Sequence, residues 1–99
     1  MAEDLEQLLA GIRDFGWQPS KRLRNLIDHK IDFVDIRIIL SGYTFIRRSD
    51  RYGQIRYQIF GYLRGKEVSV ACTIEGSKCH LLSARPARKD ERRKYYIRI

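Results

Sequence analysis

The sequence predicts an α+β domain: N-terminal helices, an antiparallel β meander of three to four strands, and a basic C-terminal helix. Three features carry this expectation. Apolar residues recur at helical spacing from Leu5 to Leu40. From Gln54 to Arg85 they alternate at period two, interrupted by glycine-containing turns. After Pro86 the chain becomes rich in Arg and Lys. A chain of 99 residues supports one core of ordinary size, so a single domain over 1–99 is expected, with 1–15 as an extra amphipathic helix.

The elements follow in order. Leu5, Leu8, Leu9, Ile12 and Phe15 form one stripe of a helix over 4–15, with Asp4 as N-cap and Gly16 as its end. Pro19 suits the first turn of a second helix over 19–30. Leu23, Leu26 and Ile27 make its buried stripe, and Lys21, Asn25 and His29 line another face; Asn25 is expected to tie the helix to a loop. Asp32 caps a third segment over 33–41 with Phe33, Ile36 and Leu40 inward, where the Val and Ile content leaves a strand open. Residues 43–46 read as a short strand and 47–53 as a polar loop. Over 54–63, Ile55, Tyr57, Ile59 and Leu63 share one face, opposite Gln54, Arg56, Gln58, Phe60 and Tyr62. Arg64-Gly65 is a hairpin turn. Val68, Val70, Cys72 and Ile74 point inward from 66–74, and the chain turns at Gly76. The strand over 79–85 alternates His80, Leu82 and Ala84 against Cys79, Leu81, Ser83 and Arg85. Pro86 ends it and starts a helix over 86–96. Helices then cover one sheet face, and the other is polar and open.

Charge points to the partner. Lys and Arg number 20 against 12 Asp and Glu, a net +8 with a pI near 9.9. Arginine supplies most of the cations, and guanidinium is a permanent charge whose fork fits phosphate. Such a chain suits a polyanion, either nucleic acid or an acidic protein. The first 15 residues run against this trend, with Glu3, Asp4, Glu6 and Asp14 against Arg13. Cys72 and Cys79 match no zinc spacing and are expected to be free, buried thiols. The sequence holds no P-loop, no GxGxxG, no CxxC and no Ser/His/Asp arrangement, so neither metal nor cofactor is expected. No apolar leader opens the chain and no run approaches the ~20 residues of a membrane span, so a cytoplasmic protein without membrane contact is expected.

From Phe15 to Tyr95 the sequence resembles a known family. The matching residues are Trp17, Pro19, Lys21, Asn25, His29, Ile31 and Phe33, then Gly53, Arg56, Gly61 and Thr73. The most specific piece is the tail Ser83-Ala84-Arg85, Ala87, Glu91-Arg92 and Tyr95. In order and spacing these resemble the BrnT family, the ribonuclease halves of type II toxin–antitoxin pairs, with a RelE-like fold. Three positions depart from the family pattern. Gln18 stands in its Trp-Asp-Pro, Asp28-His29-Lys30 in its Lys-His-Gly, and Gln54 replaces the glutamate of its Gly-Glu-x-Arg. The resemblance implies a metal-independent endoribonuclease that inhibits translation and is neutralised by a cognate antitoxin. It further implies a BrnA-like antitoxin with a ribbon-helix-helix part, and operator DNA bound only by the complex.

Metal-free RNA cleavage requires a base for the 2′-OH, cations for the phosphorane and an acid for the 5′-oxygen. Alternation puts Arg56, Ser83 and Arg85 on the open face, where two guanidiniums can clamp one phosphate. The alternative for these arginines is a structural ion pair with Glu91 or the C-terminal carboxylate. His29 is a candidate acid or base by residue type, or else it is a helix-end histidine bonded to a carbonyl. His80 reads as an edge residue. Glu91 and Tyr95 share a helix face. Glu91 either replaces the acid absent at Gln54 as base or pairs with Arg85 or Arg88. Tyr95 either stacks on a base or donates a proton, or it packs on the sheet. The candidate catalytic set is Arg56, Arg85, His29, Glu91 and Tyr95, with Lys21, Arg88, Arg92 and Arg93 binding the RNA backbone. The alternative function is a non-catalytic basic module that binds nucleic acid or a partner. The stripe of 1–15 is buried on its own domain, on the antitoxin, or in a homodimer.

Overall fold

The computed structural model of the chain describes residues 4–98. Its elements are α1 (Leu5–Ala10), β1 (Asp14–Gly16), α2 (Pro19–His29), a 3₁₀ helix (Phe33–Ser41), β2 (Phe45–Arg48), β3 (Tyr57–Leu63), β4 (Lys66–Glu75), β5 (Lys78–Pro86) and α3 (Lys89–Arg98). The five strands make one sheet in the order β1-β5-β4-β3-β2. Strands β2 to β5 are the expected antiparallel meander. Strand β1 is an addition, lying parallel to β5.

That addition shortens the first helix. The Asp4 carboxylate accepts from the Gln7 amide at 3.1 Å, as a cap should. The helix ends at Ala10, not at residue 15. The amides of Arg13 and Asp14 then donate to the Ser77 carbonyl at 2.8 and 3.2 Å, which draws Phe15 into the sheet.

Helix α2 starts on Pro19 as expected, but its faces are reversed. Leu23, Leu26 and Ile27 are 60%, 42% and 66% exposed, and Asn25 is the buried residue of the helix. Beyond the short β1, the edge of β5 leaves the Ala84 amide in need of an acceptor. Asn25 Oδ1 supplies it at 2.9 Å, while Asn25 Nδ2 donates to the Ile31 carbonyl at 2.9 Å. Satisfying two buried backbone groups decides the orientation of this helix over its aliphatic stripe.

The third segment is helical with the tighter 3₁₀ winding, and its buried residues Phe33, Ile36 and Ile39 recur every third position. Leu40, which α-helical spacing would bury, is only partly covered. Ile39 closes on Gly61 of β3, where a Cβ would stand 2.9 Å from the Ile39 Cβ. The sheet's inner face carries Tyr57 and Ile59, Val68, Val70 and Cys72, and Cys79, Leu81 and Ala84, all buried. Both cysteines are free.

Strict alternation fails at one point on β5. Ala71 pairs with Ser83 but Cys72 with Leu81, so Leu82 is an extra, bulged residue. The bulge lets Leu81 and Ala84 both face the core and leaves Ser83 and Arg85 on the outer face. The other boundaries also shift. Strand β2 lies at 45–48 rather than 43–46, β3 begins at Tyr57 with Ile55 half-exposed, and α3 begins at Lys89 rather than Pro86. Among the described residues no helix is long and apolar enough to cross a membrane.

Candidate active site

The outer face of the sheet is not fully open. In one row across it, Phe45 pairs with Phe60, Phe60 with Ser69, and Ser69 with Arg85. Helix α3 reaches over this row. Tyr95 is buried against Tyr43, with ring centroids 5.5 Å apart, and its hydroxyl donates to the Tyr43 carbonyl at 2.9 Å. One turn earlier, Glu91 sits between β5 and β2.

Glu91 is 4% exposed and fully engaged. Arg85 Nη1 and Nη2 donate to its two carboxylate oxygens at 2.7 and 2.9 Å, a bidentate fork. The Arg88 amide donates to it at 2.8 Å, which satisfies the start of α3, and Arg47 Nη2 lies 3.9 Å away. The Arg85 hydrogen bonds hold the Glu91 carboxyl down to about 2, against the opposing effect of burial. A carboxylate this acidic is a poor proton acceptor at neutral pH. In the structure Glu91 is ion-paired with Arg85, the second of the two roles its position allows.

Beside this pair a cavity of about 280 Å³ opens on the outer face. Arg47, Arg51, Arg56, Arg85 and Arg88 line it, with Glu91 as its one carboxylate. Ser69 and Ser83 add hydroxyls to its floor. Arg47 donates to Gln58 Oε1 at 2.8 Å and lies 5.2 Å from the centroid of the Phe60 ring. Arg56 is held by a neutral group, donating from Nε to Gln54 Oε1 at 2.8 Å. A larger groove of about 890 Å³ between α1, β2 and α3 has Leu5, Leu9, Leu40 and Ile46 among its walls, and Arg47 is the single arginine in its lining. The arginine density belongs to the smaller cavity.

Of the residues expected at the site, Arg56, Arg85, Arg88 and Glu91 converge on the cavity. Lys21 and His29 do not line it; both are exposed on α2, which packs against β5. Tyr95 packs, and burial pushes its phenol up. Arg92 donates to the Ala87 carbonyl at 3.2 Å, and Arg93 is exposed; neither lines the cavity. His80 lies on β5 opposite Gly16. Arg47 and Arg51 were not expected at the site. Their signal was the RRSDR run, whose first arginine faces Gln58 once β2 extends to Arg48. Among the described residues no group of three His, Cys, Asp or Glu side chains is placed to hold a metal ion.

Residues 17–91 match the family model described as ribonuclease toxin, BrnT, of type II toxin–antitoxin system. Among solved structures, the chain is similar to the Brucella abortus ribonuclease toxin BrnT, with a TM-score of 0.58 and 22% identity. That likeness covers 77% of this chain and 97% of the other, and at this identity it is one of fold. No curated protein matches.

Proposed function

The chain belongs to the BrnT family of ribonuclease toxins of type II toxin–antitoxin systems, and on this basis we propose that the arginine-lined cavity is where it cleaves RNA, without a metal ion. One observation supports this most directly: five arginines and a single carboxylate share one small cavity on the outer sheet face. Transesterification at phosphorus gathers negative charge on the non-bridging oxygens, and preorganised cations lower that barrier. Arg56, restrained by an amide rather than a carboxylate, offers its full charge to the phosphate. Arg85 is fixed in direction by Glu91 and presents the edge of a rigid fork. Arg47, Arg51 and Arg88 hold the flanking backbone. Glu91 positions Arg85 and takes no proton.

The cognate antitoxin, on the same reading, silences the toxin by covering this cavity. Its ribbon-helix-helix part brings the complex to operator DNA. The action is cytoplasmic and stops translation.

The test is cleavage of a defined RNA by the purified toxin with and without EDTA. Undiminished cleavage in EDTA is expected. Activity that disappears on chelation and returns with magnesium overturns the metal-free route. Added antitoxin should compete with RNA for binding, and a ternary complex with unchanged RNA affinity would place the antitoxin elsewhere.

A further inference from the structure

One aromatic side chain beside the cavity-lining Arg56 packs into no core. The segment Arg51-Tyr52-Gly53-Gln54 is a tight hairpin, closed by Arg51 N to Gln54 O at 3.0 Å and Gln54 N to Arg51 O at 2.8 Å. Its two central residues, Tyr52 and Gly53, have φ of 53° and 70°, the pairing of a two-residue type I′ turn. Glycine suits that backbone and tyrosine does not. Tyr52 nevertheless occupies it and is 88% exposed, more than any other large apolar side chain among the described residues. Its ring packs into no core. It lies over the Arg56 guanidinium, with Cζ 5.6 Å from the ring centroid.

The neighbourhood of the ring is specific. Arg51, the residue before it, and Arg56, the cation beside it, both line the cavity. The hairpin is tied to the sheet side by the Ser49 amide, which donates to the Arg56 carbonyl at 2.7 Å. The turn therefore holds one aromatic face next to the Arg56 guanidinium, with the preceding residue, Arg51, lining the same cavity. Single-stranded nucleic acid is recognised by this combination: cations follow the backbone and an aromatic face takes an unstacked base.

We propose that Tyr52 is a nucleobase-binding subsite, stacking one unpaired base of the RNA strand whose phosphate lies at Arg56. This rests on the cavity being the RNA site. It adds that the substrate is single-stranded at that point, because a paired base offers no free face. Tyr52 then acts by binding and aligning the strand, with the cation–π contact to Arg56 coupling base capture to phosphate capture.

The experiment uses the full chain and short RNA oligonucleotides made uncleavable by 2′-deoxy substitution. Each carries 2-aminopurine at one scanned position, whose fluorescence falls on stacking. The wild type and Tyr52→Phe should quench one position. Tyr52→Ala should abolish that quenching and weaken binding about tenfold, in line with the worth of one base stack. Tyr52→Gly, which suits the turn's backbone, should behave like Tyr52→Ala, so that the loss follows the ring and not the fold. The same RNA with an abasic site at that position should bind all four proteins alike. Equal quenching by wild type and Tyr52→Ala overturns the subsite, as does an unchanged Tyr52→Ala deficit on abasic RNA. The ribose form of the oligonucleotide separates the two readings. Quenching without cleavage by the wild type keeps the subsite and removes the nuclease reading of the cavity. Cleavage that ignores Tyr52 does the reverse, and no binding by the wild type removes both.

Discussion

Arg85 and Arg56 line the same cavity and are held in opposite ways. Arg85 is 22% exposed at its side chain and locked by two short bonds to a buried carboxylate. Arg56 leans on a neutral amide and an exposed ring. The first arrangement cancels charge and fixes geometry. The second keeps charge and yields position. Removing one member of a buried ion pair strands the other's charge, whereas removing a half-buried cation held by a neutral amide strands none. The two arginines should therefore separate scaffold from ligand binding.

The largest expected effect comes from Arg85→Ala. It leaves the Glu91 carboxylate buried without its fork, at a cost of about 3 kcal/mol in folding stability, and cleavage should fall with it. Arg56→Ala should change stability by less than about 0.5 kcal/mol. Its cleavage should still drop at least about tenfold, or ~1.4 kcal/mol of transition-state stabilisation. Denaturant midpoints and single-turnover rates on both variants check this. Equal stability losses would dissolve the distinction.

Acid sharpens the same contrast. The Glu91 carboxyl titrates at about 2 in the folded chain, well below its ordinary 4.5. A depressed carboxyl contributes stability that is complete above the unfolded value and is lost as pH falls towards the folded one. The wild type should thus lose about 2–3 kcal/mol between the ordinary carboxylate range and pH ~2 that Glu91→Gln never had. Asp32, also held to about 2 by Arg22, is common to both proteins and cancels in the difference. Parallel acid titrations of wild type and Glu91→Gln would refute the assignment.

A smaller change would turn Arg56 into a copy of Arg85. Gln54→Glu gives Arg56 a charged acceptor, but at an exposed turn, so stability should move by less than about 0.5 kcal/mol. RNA affinity should weaken, and the slope of log affinity against log salt should shrink by about one. An unchanged slope would mean that Arg56 does not meet a phosphate. The smallest effect is expected on α2. Leu23→Lys and Ile27→Lys should each cost less than about 0.5 kcal/mol, because both side chains already face outward. A loss typical of a core position would return those residues to the interior.

Much of the scaffold was legible because it is encoded within a few residues. Asp4 and Asp32 cap their helices, Pro19 opens α2, and Arg64-Gly65 turns a hairpin with both φ values positive. Part of the cavity lining was legible too, since Arg56 and Arg85 were expected on one face and both line it. What misled was period. A 3₁₀ segment repeats every three residues, so Ile39 replaced Leu40, and the bulge at Leu82 breaks alternation with no local mark.

The sequence by itself determined the α+β class, the antiparallel meander, the free buried thiols and the excess of arginine. It also held the spaced residues that place the chain in its family. These follow from propensity, turn chemistry and hydrophobic period, all of which act over a few neighbouring positions. Tertiary structure alone decided which face of α2 is buried, because Asn25 answers an amide 59 residues away. It also decided that Glu91 pairs with Arg85, and that Arg47 and Arg51 join Arg56 around one cavity. Each depends on strand register and on unsatisfied polar groups that exist only once the sheet has formed.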